Sequence, residues 1–139
     1  MKIRLGRKKR WLLLILLSGA GMFLHGCTCN ADVVVTQDQN NGTIYILVGS
    51  VMRVELPADE TNVCGWWVSQ VSTAYLERID ADISSPGTRE RLQDGTLVEV
   101  FRFQAKSAGP GSLTIEQRCN DQPSGTNFKI TVITGGSGV

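Results

Sequence analysis

The chain has 139 residues, with 14 Lys plus Arg against 13 Asp plus Glu, one His and four Cys. The formal net charge is +1, but it becomes about −5 once the basic leader over residues 1–26 is cut, and this acidic balance argues against nucleic acid as a partner. The length fits one domain around one core.

The first ten residues, MKIRLGRKKR, carry six Lys or Arg and no acid, and Trp11 to Leu24 is almost wholly apolar. A basic stretch, an apolar run of about 7–15 residues and a small residue before the cut describe a secretory signal peptide over residues 1–26. A transmembrane helix would need about 20 apolar residues, and Asn30 to Asp32 ends any extension. A cut before Cys27 removes all six basic residues of the leader and His25, the one histidine. It leaves 8 Lys plus Arg against 13 Asp plus Glu, about −5 on 113 residues. Residues 27–32 then form a short tether.

Val33 to Val35 reads as a first edge strand. Asn41-Gly42 is a turn signal. Thr43 to Val48 is continuously apolar and β-branched, which predicts a strand buried on both faces. Val51 to Leu56 alternates, with Met52, Val54 and Leu56 on one face and Arg53 and Glu55 on the other, the period-2 pattern of a half-buried strand. Pro57 stops it, having no N–H to donate. Ala58 to Val63 is a polar turn-forming loop closed by Cys64 and Gly65, and Trp66 to Val71 is the next strand. Trp66 is expected in the core beneath the loop; the other reading is an exposed anchor. Leu76 to Ile83 alternates weakly and reads as a strand, and Ser84 to Gly95 as a long exposed loop. Leu97 to Ala105 is a strand with Leu97, Phe101 and Phe103 on one face and Val98 and Val100 on the other. Ala108 to Gly111 is a tight turn. Leu113, Ile115 and Gln117 alternate with Thr114, Glu116 and Arg118 in a further strand. Cys119 to Thr126 is a loop, Phe128 to Ile133 the last strand, and residues 135–139 a Gly-rich flexible tail. No window holds a 3.6 period over three turns. The expected fold is all-β, a sandwich of seven to eight strands over residues 33–134.

Chemistry finds few carriers. With the histidine gone, a Ser-His-Asp triad and a His-activated cysteine are both excluded. Scattered cysteines without histidine make no zinc motif, and no phosphate loop or metal-loop spacing occurs. Asp80, Asp82 and Glu99 read as acids of a solvated strand face. The chain is therefore expected to be a binding module, not an enzyme, with no cofactor and no small-molecule substrate. Beyond Cys27, Cys29, Cys64 and Cys119 remain in an exported chain where disulfides persist, and three thiols allow three pairings. A sandwich could bring the Cys64 and Cys119 loops to the same end. That bond would close a loop worth about 4 kcal/mol in the chain-entropy model.

Two resemblances sharpen these expectations. Leu24, Gly26 and Cys27 resemble the lipobox of bacterial lipoproteins, which implies a diacylglyceryl group on Cys27 and anchoring to a membrane of the cell envelope. Thr28 after the cysteine resembles the outer-membrane sorting signal of diderm bacteria. The order of segments, Ile44-Tyr-Ile-Leu-Val-Gly49, Val51 to Pro57, Gly65-Trp66, Phe101 to Gly109, Leu113-Thr-Ile115 and Phe128 to Val132, resembles the chagasin-like inhibitors of papain-type cysteine proteases. The resemblance implies an immunoglobulin-like β-sandwich whose three neighbouring loops enter a protease cleft. The loop places are Thr61-Asn62-Val63-Cys64-Gly65, Gln93-Asp94-Gly95-Thr96 and Arg118-Cys119-Asn120. Only Gly65 and Arg118 keep the family's loop motifs. The implied binding residues are Thr61, Asn62, Val63, Gly65, Asp94, Gly95, Thr96, Arg118 and Asn120. Adjacency of these loops in the family fold supports a Cys64–Cys119 bond. The implied partner is a papain-type cysteine protease; the alternative is an envelope lipoprotein binding another partner through the same scaffold.

Overall fold

The computed structural model describes residues 32–136; the leader, Cys27, Cys29 and the last three residues lie outside them. Nine strands occur among the described residues: β1 (Val33–Thr36), β2 (Thr43–Leu47), β3 (Val51–Pro57), β4 (Cys64–Val71), β5 (Leu76–Arg78), β6 (Thr88–Arg91), β7 (Leu97–Ala105), β8 (Gly109–Cys119) and β9 (Gln122–Gly135). They form two sheets. One runs β1-β3-β7-β5, with β6 also pairing β7, and the other runs β2-β9-β8-β4. β1 lies parallel to β3 and β2 parallel to β9. The other pairs are antiparallel. The fold is the expected all-β, immunoglobulin-like sandwich.

Alternation places the core. Met52, Val54 and Leu56 of β3 face Phe101 and Phe103 of β7, and Leu113 and Ile115 of β8 face inward with Phe128, Ile130 and Val132 of β9, all 1% exposed or less. Among the described residues, the core runs from Val33 to Val132 and draws on both sheets. A bulge between Val68 and Gln70 in β4 lets Val68 and Val71 both pack on that core. Trp66 is 3% exposed, its indole N–H donating to the Pro57 carbonyl at 2.8 Å. It is core, not a surface anchor.

Five expectations need correction. β2 is an edge strand, not a strand buried on both faces: Tyr45 and Leu47 are 75% and 52% exposed, and only Ile46 is buried. Its apolar run reflects β-propensity at an edge, which does not require burial. The strand expected over Leu76 to Ile83 ends at Arg78. There the Arg78 guanidinium turns inward and gathers the carbonyls of Asp82, Ser85 and Pro86, which fold the chain into a loop instead. The loop expected over Ser84 to Gly95 contains β6, which brings the strands to nine against the seven to eight expected, and whose polar Thr-Arg-Glu-Arg sequence hides a pairing with Leu97–Val100. The turn expected at Ala108 to Gly111 is already strand, since Gly109 to Gly111 pair with Val132 to Thr134. The loop expected from Cys119 to Thr126 shrinks to a two-residue turn: Cys119 pairs with Gln122, and Asn120 and Asp121 take φ of 53° and 62°. Positive φ at both central residues is the type I′ geometry that matches strand twist.

Candidate functional site

The segment between β3 and β4, residues 58–63, is organised by one side chain. The Asp59 carboxylate accepts the backbone N–H groups of Thr61 at 3.0 Å, Val63 at 3.0 Å and Cys64 at 2.9 Å. It also accepts the Thr61 hydroxyl at 2.7 Å. These bonds hold its pKa down at about 2. A short polar side chain that captures its own downstream backbone is the reason Asp begins such turns.

The loop is flanked on both sides. On one, the Asn120 N–H donates to the Val63 carbonyl at 3.2 Å, and Cys64 is bonded to Cys119. The two cysteines stand directly opposite in the β4–β8 ladder with Cα atoms 4.0 Å apart. This is closer than the roughly 4.4–6.8 Å usual for disulfides, because paired antiparallel residues already approach to about 4.5 Å. On the other side, Arg91 donates to the Gly95 carbonyl at 2.8 Å and forms an ion pair with Glu60 at 3.1 Å. The 92–96 turn is closed by Leu92 N–H to Thr96 carbonyl at 2.8 Å. The three segments therefore lie in a row, 92–96, 58–63 and 120–121.

Their side chains divide. Asn62, Val63, Gly65 and Asn120 line one groove of about 470 Å³, together with Cys64, Trp67, Pro86, Gly87, Arg89, Glu99 and Asp121. Asp94 and Thr96 line a different groove, with Gln37, Glu55, Leu92 and Val98. Gly95 stands open at its turn tip, and Thr61 is exposed beside Asp59. Arg118 pairs with Gly65 across the ladder, lays its guanidinium 5.6 Å from the Trp67 ring centroid and donates to Glu116 at 2.6 Å. Asp94 accepts the Thr96 N–H at 2.9 Å, which lowers its pKa.

Five of the groove's side chains were not among the expected site residues: Trp67, Pro86, Arg89, Glu99 and Asp121. Glu99 is the sharpest miss. It is 3% exposed, not part of a solvated face. Burial pushes its carboxyl up to about 7, while the Trp66 backbone N–H and the Arg89 charge pull the other way. The signal was present in the sequence, since Glu99 shares its parity in β7 with Phe101 and Phe103. Asp80, by contrast, is tied to Arg78 by an ion pair at 3.0 Å, and Asp82 is exposed. Among the described residues no group of three or more His, Cys, Asp or Glu could hold a metal ion.

The architecture is one already known. The cysteine protease inhibitor EhICP2 from Entamoeba histolytica has a similar structure, with a TM-score of 0.59 at 10% identity, over 75% of this chain and 95% of that one. Amebosin is similar with a TM-score of 0.58 at 18% identity, over 76% of this chain and 99% of that one. No known family profile and no curated protein matches the sequence. The likeness is one of fold: the chain shares its immunoglobulin-like sandwich with these two proteins.

Proposed function

We propose that this protein inhibits papain-type cysteine proteases by steric insertion of the 58–63 loop, the 92–96 turn and the Asn120-Asp121 turn into the active-site cleft. The observation that carries this reading is the single row made by the 92–96, 58–63 and 120–121 segments at one end of the sandwich. The Cys64–Cys119 bond, the Asp59 hydrogen bonds and the Arg91–Glu60 bridge hold that row. A rim held in place before binding loses less ordering entropy on association, so a modest area can suffice. The fold shared with a protein described as a cysteine protease inhibitor supports the same reading. The protein does no chemistry in this role; the exposed Asn62, Val63 and Asn120 fill space in the cleft. In the cell the domain is carried by a lipid on Cys27 and held at the bacterial envelope, the outer membrane in a diderm, since multiple acyl chains anchor where one does not.

The test is titration of a Thr28–Val139 chain against papain-type proteases, beside a variant with Thr61, Asn62 and Asn120 changed to Ala. Submicromolar inhibition that the variant loses is the expected result. Absence of inhibition at high micromolar concentration would overturn the proposal. Palmitate labelling of the precursor, present in the wild type and absent in Cys27→Ser, checks the anchor.

A further inference from the structure

Beneath the loop rim, the groove has an unusual floor. Glu99 Oε2 is buried and has no hydrogen-bond partner within the protein. Arg89 Nη1 is buried and equally without one. Both residues line the same groove, yet they form no ion pair with each other. A buried polar atom left unpaired costs about 1–3 kcal/mol, more when it is charged. Two such atoms of opposite character on one floor are expensive unless something binds them.

The surroundings hold this arrangement open. Arg89 Nη2 donates to the Asp59 carbonyl, which fixes the guanidinium under the 58–63 loop. Gly65 and Gly87 flank Glu99 where no larger residue fits: a Cβ on Gly65 would meet the Trp67 ring at 2.9 Å, and one on Gly87 the Phe101 ring at 2.7 Å. Gly87 is itself pinned by its N–H on the Trp66 carbonyl at 3.2 Å, and Pro86 by a bridge to Trp67. The walls are the half-buried Trp67 ring and Pro86, and the Cys64–Cys119 staple stands at the rim.

We infer that this groove binds a neutral, planar primary carboxamide, which donates its N–H to Glu99 Oε2 and accepts from Arg89 Nη1 through its carbonyl. At pH 8, where Glu99 is ionised, an ammonium would satisfy Glu99 and be repelled by Arg89, and a carboxylate would do the reverse, so the probes are compared at that pH. A primary carboxamide carries an N–H donor and its carbonyl acceptor on one edge, unlike a trans peptide group, whose N–H and C=O point to opposite sides, and it brings no net charge into a buried site. Its flat faces also suit walls made of an indole ring and a proline. Under the inhibitor reading, on which this part rests, the amide belongs to the bound partner and enters behind the loops. The groove's own chemistry does not depend on that source.

The experiment is NMR titration of isotope-labelled Thr28–Val139, followed at the Gly65 and Gly87 amides and the Trp67 indole. The probes are propionamide, N-acetylglutamine N-methylamide, N-acetylalanine N-methylamide, propionate and propylammonium. Saturable shifts with propionamide and the glutamine compound alone identify a side-chain carboxamide as the ligand. Shifts of equal affinity with the alanine compound, whose trans amides hold N–H and C=O on opposite sides, would overturn the inference. The first result supports the site, provided Arg89→Lys, which keeps the cation but lacks the second nitrogen, weakens binding at least fivefold. Glu99→Leu, which places an apolar group in a buried position, should abolish it while the melting curve stays cooperative. No saturable shift with any amide, or equal binding of propionate or propylammonium, would overturn the inference. Protease inhibition measured on the same Glu99→Leu protein separates the two proposals. Inhibition without amide binding in the wild type removes the groove ligand alone, and amide binding without inhibition removes the inhibitor alone.

Discussion

Replacing Glu99 by Gln should stabilise the fold, and only at higher pH. Glu99 is the one buried acid among the described residues. Its carboxyl is pushed from 4.5 to about 7 in the folded chain. Between these values the folded protein holds a proton that the unfolded chain releases, so stability falls as pH rises. The loss begins near pH 4.5 and is complete somewhat above pH 7. At 1.36 kcal/mol per pH unit this interval is worth about 3 kcal/mol. Gln keeps the shape and cannot ionise, so the variant should escape the loss. Chemical denaturation of wild type and Glu99→Gln at pH 5 and pH 8, with the disulfide intact, measures it. Stability of the variant relative to wild type should rise by about 2.5 kcal/mol from pH 5 to pH 8. Asp59 titrates near 2 and is the same in both proteins, so it cancels in this comparison. A change below about 0.5 kcal/mol would show that Glu99 stays ionised in the fold at neutral pH, and the argument from burial would fail.

Reducing the Cys64–Cys119 bond, or changing both cysteines to Ser, should lower unfolding free energy by about 4 kcal/mol, as denaturant midpoints will report, because it reopens a 55-residue separation. Asp59→Ala should speed hydrogen exchange at the Thr61, Val63 and Cys64 amides, which lose their acceptor, and leave β7 amides unchanged. In the wild type the same protection should persist above pH 3.8 and fade as pH falls through about 2, since the carboxylate's folded pKa is depressed. Arg78→Met should destabilise by about 3 kcal/mol in thermal or chemical melts, because it strands Asp80 and three loop carbonyls around a guanidinium site only 9% exposed.

The frame of the sandwich is readable from alternation alone. Met52, Val54 and Leu56 announce β3, and Phe101 and Phe103 announce β7, because each sheet has one dry face and period 2 follows from that. Strands that owe their pairing to the backbone are not readable in this way. β6 is Thr-Arg-Glu-Arg, with no apolar stripe, and it exists because β7 offers it a free edge. The Asn120-Asp121 turn was hidden by Pro123 and Gly125, which look like loop residues yet lie in β9, outside the reach of β2. The site divides likewise. Asn62, Val63, Gly65 and Asn120 come from contiguous loop segments and could be named from order along the chain. Pro86, Arg89 and Glu99 reach the same groove from β6, its approach and β7. Their meeting depends on how the open edge of β4 closes against the Pro86–Gly87 segment, a long-range contact with no local signature.

Rigidity at the loop end comes from several independent ties, and they converge on residues 58–63. The disulfide holds its far end, Asp59 holds its backbone, Arg91 links Glu60 to the 92–96 turn, and Arg89 takes the Asp59 carbonyl from below. The exposed ion pair of Arg91 and Glu60 is worth little by itself, but the buried end of Arg89 is different. Its free nitrogen sits on the groove floor while its other nitrogen holds the loop. Whatever engages that floor therefore pulls on the same guanidinium that positions the rim. Under the amide site inferred above, the ligand and the 58–63 loop would share the two nitrogens of this one guanidinium.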